Sequence, residues 1–238
     1  MKNDLKSGSE TPKAFYVLSV FSMAYLVIML FDSIMTNRYV GTDTLYVLGG
    51  TLSSPLLFIL DGLITELFRR KMAVFIIISV FVFQTIFSVL TYLVSAKAPY
   101  PSFFHAYKDY YEILGPSLLW INFSGLFAYL VANILNSYLV MEFKILAKGR
   151  FFWVRSIGAS FMAEIIYTAI AVTLMEMNRI SADGVFRIIA ASFCIKVLYT
   201  MILAYPADRL INKLKSFTGL DPYDKPKSLW VSNRMKGL

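Results

Sequence analysis

Apolar residues recur along the chain in six runs: roughly Ala14 to Met35, Leu45 to Phe68, Met72 to Val94, Pro116 to Val140, Ser156 to Met175 and Phe186 to Leu210. Each can cross about 30 Å of hydrocarbon at about 1.5 Å per residue, so the pattern predicts six transmembrane helices. Only Arg69, Arg70 and Lys71 separate the second run from the third, which calls for a tight antiparallel hairpin. The longest link, Ser95 to Gly115, is rich in Tyr, Phe and Pro and reads as an interfacial cap. The first run ends at Asp32 with no small-residue cleavage site, so it is expected to stay in the protein as a helix. The predicted organisation is a polar tail at 1–13, a six-helix membrane domain at 14–215 and a basic tail at 216–238.

Polar residues interrupt these runs in register. Ser160, Glu164 and Thr168 stand four apart on the fifth run, and Ser192, Lys196 and Thr200 repeat that spacing on the sixth. Each set therefore lies along one helix face. Asn122, Tyr129, Asn133 and Asn136 make a third stripe on the fourth run, and the second run carries Ser53, Ser54, Asp61 and Thr65, with Pro55 expected to kink its helix. Hydroxyls by themselves usually bond their own helix backbone, and Asn often fastens helix to helix. Charges are a different matter, because each costs roughly 2.5 to 3.5 kcal/mol at a helix centre on insertion scales. Glu164 and Lys196, about 13 and 20 Å from the basic ends of their helices at the helical rise, should meet near the midplane. They are read as pocket residues together with Asn133, Asn136, Asp61 and Tyr167, although Gly62 beside Asp61 also suits close helix packing. Glu66 is expected to pair with Arg69 or Arg70, and Glu142 to be a solvated helix end.

Composition strengthens the membrane reading. The 238 residues are 58% hydrophobic and 16% charged, with a mean hydropathy of +0.63, which a soluble domain of this length would not need. The net charge of +8 follows topology: seventeen Lys and Arg fall on the tails and on the second and fourth links, against five on the other links. The positive-inside rule then puts both termini in the cytoplasm and leaves no basic face for nucleic acid. One cysteine and one histidine exclude a disulfide framework or a His/Cys metal centre, so no cofactor is expected. No Walker A, HExxH or GxSxG sequence occurs, and Asp109 and Glu112 have no nucleophile arranged with them, so the chain is not read as an enzyme. The run Phe103, Phe104, Tyr107, Tyr110, Tyr111 reads as an interfacial belt.

The segments SSPLLFILDGLITELF (Ser53 to Phe68), AYLVANILNSYLV (Ala128 to Val140), RSIGASFMAEIIYTAIA (Arg155 to Ala171) and FCIKVLYTMILAYPADRLINKLK (Phe193 to Lys215) resemble, in that order, the vitamin-uptake or queuosine-precursor transporter family. The resemblance implies a fold similar to the substrate-binding subunits of energy-coupling-factor transporters. It also implies uptake of 7-deazaguanine precursors across the bacterial inner membrane. Pro55, Glu66, Arg155, Ser160, Lys196 and Pro206 fall on family-like positions, and Asn133 and Glu164 stand where the family places an amide or acid. The sequence departs from the family at Gly62, preceded by Asp61, and at Asn136 and Tyr167, where Asp is common. The expected function is secondary transport of such a planar heterocycle without chemical conversion. The alternative is a substrate-capture subunit of an ATP-energised uptake complex. The expected partners are the small-molecule substrate and the lipid bilayer, and self-association as a homo-oligomer stays open.

Overall fold

The structure, a computed structural model, describes residues 12–42, 45–97, 118–176 and 180–222. In chain order these form α1 (Pro12–Met35), β1 (Tyr39–Gly41), β2 (Tyr46–Leu48), a 3-10 turn (Gly49–Thr51), α2 (Ser54–Tyr92) running into a π-turn (Leu93–Lys97), α3 (Leu118–Leu146), α4 (Phe152–Glu176) and α5 (Ala182–Thr218). The protein is an all-α polytopic membrane protein. The aromatic run from Phe103 to Tyr111, the carboxylates Asp109 and Glu112, and the tail residues Tyr223 and Trp230 lie outside the described residues.

Among the described residues five helices, rather than six, are long and apolar enough to cross a membrane. The difference lies in α2, which carries both the second and third expected spans and breaks at Arg69, where φ is 71° and ψ 159°. A non-glycine residue rarely adopts that conformation. Contacts with α3 show what the break does. Phe58, Asp61 and Glu66 meet Asn136, Ser137 and Lys144 in ascending order, whereas Arg70 lies over Tyr138 and Gln84 meets Asn122 further back. The two arms of α2 thus run in opposite directions along α3, and the chain reverses at Arg69. Three consecutive cations favour that site, because long basic side chains reach for the interface and cannot be carried into hydrocarbon.

The outer end of the second expected span is not helical. Tyr46–Leu48 pairs instead with Tyr39–Gly41, with Val40 opposite Val47, and the helix begins only at Ser54. Two consecutive glycines weaken helix here, and Gly50 has a packing reason: a Cβ on it would lie 3.0 Å from the Asp32 carboxylate. Pro55 occupies the first turn of α2 and starts that helix without kinking it, since its missing N–H has no partner to lose there.

Apolar side chains fill the centre. Tyr25, Phe58, Ile77, Tyr129 and Ala163 belong to one buried cluster. Ile59, Leu67, Phe152 and Ile211 form a second at the end carrying Lys144 and Lys215. Phe15, Val27, Phe83, Phe123 and Ile202 are exposed along helix faces, where lipid would cover them.

Candidate functional site

Polar side chains gather inside this bundle at three levels. The deepest cluster lies between α4 and α5. Thr200 Oγ1 donates to Glu164 Oε1 at 2.7 Å, and Lys196 Nζ donates to Thr168 Oγ1 at 3.1 Å. Because the helices are antiparallel, 164 stands beside 200 and 168 beside 196, so each charge faces a hydroxyl of the other helix. The two charges are one turn apart and make no direct ion pair, contrary to the simple meeting expected. Helix pitch is the reason: charges four residues from their hydroxyls on opposed helices match hydroxyl to charge and offset charge from charge. Glu164 is fully buried and Lys196 is 4% exposed. Glu164 Oε2 and Ser160 Oγ have no hydrogen-bond partner. Thr168 and Thr200 thus spend their hydroxyls on the charges rather than on their own backbones.

Tyr167 joins this cluster to the next. Its ring lies 4.4 Å from Lys196 Nζ, a cation–π contact, and 5.9 Å edge-on from the ring of Phe58. On the other side of Phe58, Asn136 Nδ2 donates to Asp61 Oδ2 at 2.7 Å and to the Phe58 carbonyl at 3.1 Å, while Ser137 Oγ donates to Asp61 Oδ1 at 2.5 Å. Both oxygens of Asp61 are satisfied, and Asn136 Oδ1 is left without a partner. Asn133 accepts from Tyr25 at 3.1 Å and donates to the Tyr129 carbonyl at 3.0 Å. All six sequence-derived residues are therefore buried around one aromatic centre, in two groups separated by the Phe58 and Tyr167 rings.

Asp32 is a neighbour of this site that periodicity alone did not single out. It lies near the C-terminal end of α1, is 3% exposed, and accepts from Ser53 Oγ at 2.5 Å. Along with Glu164 it is one of the two carboxylates acting on Lys196 electrostatically. Asp32, Thr36, Asn122 and Tyr167 share a crevice with about 10 Å³ of free space, room for about one water. Its signal was present, since Asp32 and Thr36, just past the end of α1, stand four apart, but Asp32 closes an apolar run and reads as a boundary. Thr51, donating to Ser192 at 3.2 Å, connects the 3-10 turn to the α5 stripe.

The third level is at the basic end. Glu66 is fully buried; Arg155 donates to both its oxygens at 3.1 and 3.2 Å, Lys215 lies at 2.5 Å and Lys144 at 3.3 Å. Asp221, just beyond α5, bridges Lys144 at 2.7 Å and Lys215 at 2.9 Å. Glu66 was expected to pair with Arg69 or Arg70. The reversal at Arg69 brings it instead against α3, α4 and α5. Glu142 is 7% exposed rather than solvated, because α3 extends to Leu146, beyond the predicted end of the span. Burial works to raise the Asp221 carboxyl, but hydrogen bonds and attraction from Lys144 and Lys215 outweigh it and hold the group below its ordinary value of 3.8.

A family model described as "Putative vitamin uptake transporter" matches residues 48–208, which includes all of α3 and α4, both arms of α2 and most of α5. Comparisons with curated proteins and with solved structures gave no match.

Proposed function

The chain belongs to the vitamin uptake transporter family, and from that premise we propose that it imports a small planar heterocycle, in the first instance 7-cyano- or 7-aminomethyl-7-deazaguanine, across the inner membrane. The observation that carries this reading is the crossed pair of α4 and α5, in which Glu164 keeps one buried oxygen without a partner. A guanine-like ring offers N1–H and an amino group, two donors that a carboxylate accepts side by side, and a carbonyl that an ammonium can address. Glu164 takes the donors, Lys196 the carbonyl, and Asn133 and Asn136 orient the ring, with Asp61 fixing Asn136. Tyr167 supplies the stacking face. A ring placed on Tyr167 displaces the Lys196 ammonium from it and frees that group to donate. No bond of the ligand is made or broken.

Glu164 and Lys196 are packed between α4 and α5, at 0% and 4% exposure, so a heterocycle reaches them only when helices separate. Sites of this kind near the midplane suit alternating access. Uptake of labelled 7-cyano- and 7-aminomethyl-7-deazaguanine by cells that cannot make them tests the reading. Intact protein should restore accumulation, and Glu164→Gln should cut it at least tenfold. Accumulation retained by the double variant Glu164→Gln, Lys196→Met would sink the pocket assignment. Transport by the purified chain alone in liposomes separates a self-sufficient carrier from a capture subunit that needs an ATP-driven partner.

A further inference from the structure

At the basic end, α4 and α5 enclose two adjoining hollows that the transport site does not use. The first is an open notch of about 410 Å³ whose lining includes Arg150, Trp153, Asp208, Asn212 and Lys215. The second is a long groove of about 620 Å³ lined by Trp153, Val154, Ile157, Met201 and Tyr205. Trp153 lines both, so the two hollows are neighbours. Their chemistry differs sharply. The groove is apolar along the face that hydrocarbon would cover, with Val154 48% and Met201 50% exposed. The notch sits at the helix ends and mixes charged and polar side chains with Phe151 and Phe152.

Charge at the notch is unevenly committed. Asp208 is occupied, accepting from the Trp153 backbone N–H at 3.3 Å and from Asn212 at 3.3 Å. Lys215 is engaged by Glu66 and Asp221. Arg150 is exposed, with no side-chain ion pair among the described residues. Arg209 lies 4.6 Å over the Tyr205 ring at the rim of the groove and donates to its hydroxyl. Arg150 thus lines the notch, and Arg209 packs on Tyr205 of the groove wall. The loop that carries Arg150 is held by left-handed residues at Lys148, Gly149 and Phe151, with φ of 51°, 76° and 52°. The Arg150 carbonyl accepts from Arg155 Nε at 3.0 Å, which ties this turn to the start of α4.

We propose that this notch and groove form a binding site for one anionic phospholipid. Its phosphate lies between Arg150 and Arg209, and one acyl chain runs along Trp153, Ile157 and Met201. Charge complementarity and the shared Trp153 select this occupant. A soluble anion would use the notch and leave the groove empty, and a zwitterionic lipid would fill the groove but set its own ammonium against two arginines.

Native mass spectrometry of the full chain, released from mixed micelles holding equal phosphatidylglycerol and phosphatidylcholine, tests the site. The intact protein should retain phosphatidylglycerol with at least fivefold preference. Arg150→Gln with Arg209→Gln should bring that preference to near parity, while Arg69→Gln with Lys71→Gln, which removes two charges from the same end of the bundle, should leave it in place. Unchanged thermal unfolding of both pairs in phosphatidylcholine shows that folding is intact. Preference that survives the Arg150 and Arg209 substitutions overturns the proposal. So does competition by millimolar glycerol phosphate as effective as that by the lipid, which would assign the notch to a soluble phosphate. A Trp153→Ala variant should weaken retention of both lipids, and no loss there would remove the groove from the site.

Discussion

Two buried carboxylates define two different regions of this molecule. Glu66 is surrounded: two nitrogens of Arg155, the ammonium of Lys215 and that of Lys144 reach its two oxygens, and Asp221 balances the extra cations. Glu164 is equally buried but has one hydroxyl donor and an empty second oxygen. A buried charge without its full set of partners costs free energy, and such groups persist where function needs them. The Glu66 cluster is a fastener that ties α2, α3, α4 and the end of α5 together, whereas the Glu164 cluster keeps one acceptor oxygen unfilled, the oxygen that the proposed function assigns to a ligand.

The largest effect that would break this comparison is on stability. Glu66→Ala strands Arg155 without its anion and leaves Lys144 and Lys215 to share Asp221, and loss of one partner from a buried charge network costs about 3–5 kcal/mol. Thermal unfolding in detergent should show it as a marked fall in Tm, and a loss under about 1 kcal/mol, the range of an exposed ion pair, would place Glu66 among surface contacts. Next comes Glu164→Gln, which keeps an acceptor for Thr200 and nearly the same shape. Uptake should fall at least tenfold while unfolding shifts by less than about 1 kcal/mol, the range of one net hydrogen bond. Equal damage to both would make Glu164 a second fastener. Asn136→Ala falls between the two regions: it removes the donor to Asp61 and to the Phe58 carbonyl, so about 1–3 kcal/mol of stability is lost. Its transport defect should be milder than that of Glu164→Gln, measured at matched protein level.

How far the sequence shows this contrast depends on the range of each interaction. The stripes on α4 and α5 are local, a matter of four-residue spacing, and periodicity places Glu164 with Thr168 and Lys196 with Thr200 correctly. The offset between two helices is not local, which is why a direct Glu164–Lys196 pair was expected and crossed pairs are found. Glu66 shows the limit more strongly, since its partners lie 78, 89 and 149 residues away and only the reversal at Arg69 brings them together. The hairpin itself was legible from three consecutive cations. The strand pair at Tyr39–Gly41 and Tyr46–Leu48 was not, because hydropathy scores an apolar residue alike in strand and helix. Asp32 escaped for a related reason, as a charge at the edge of a run looks like the run's end.

The smallest effect concerns the latch on the Glu66 cluster. Asp221 is bonded to Lys144 and Lys215, with 47% of its side chain exposed. Its carboxyl is held below 3.8, so the folded form binds the proton less readily than the unfolded chain. The sign follows: the contribution of this group is complete above its unfolded value and is lost as pH falls below about 4 toward the folded value. Solvent screens a half-exposed pair, so the contribution stays below about 1 kcal/mol. Asp221→Asn should therefore lower Tm slightly at pH 7, and the gap between variant and intact protein should close on acidification through that window. A gap that does not narrow at all as pH falls below about 4 would show that Asp221 acts through its shape and neutral hydrogen bonds. The latch would then be a packing contact, and the contrast between the two carboxylate regions would rest on Glu66 and its three cations alone.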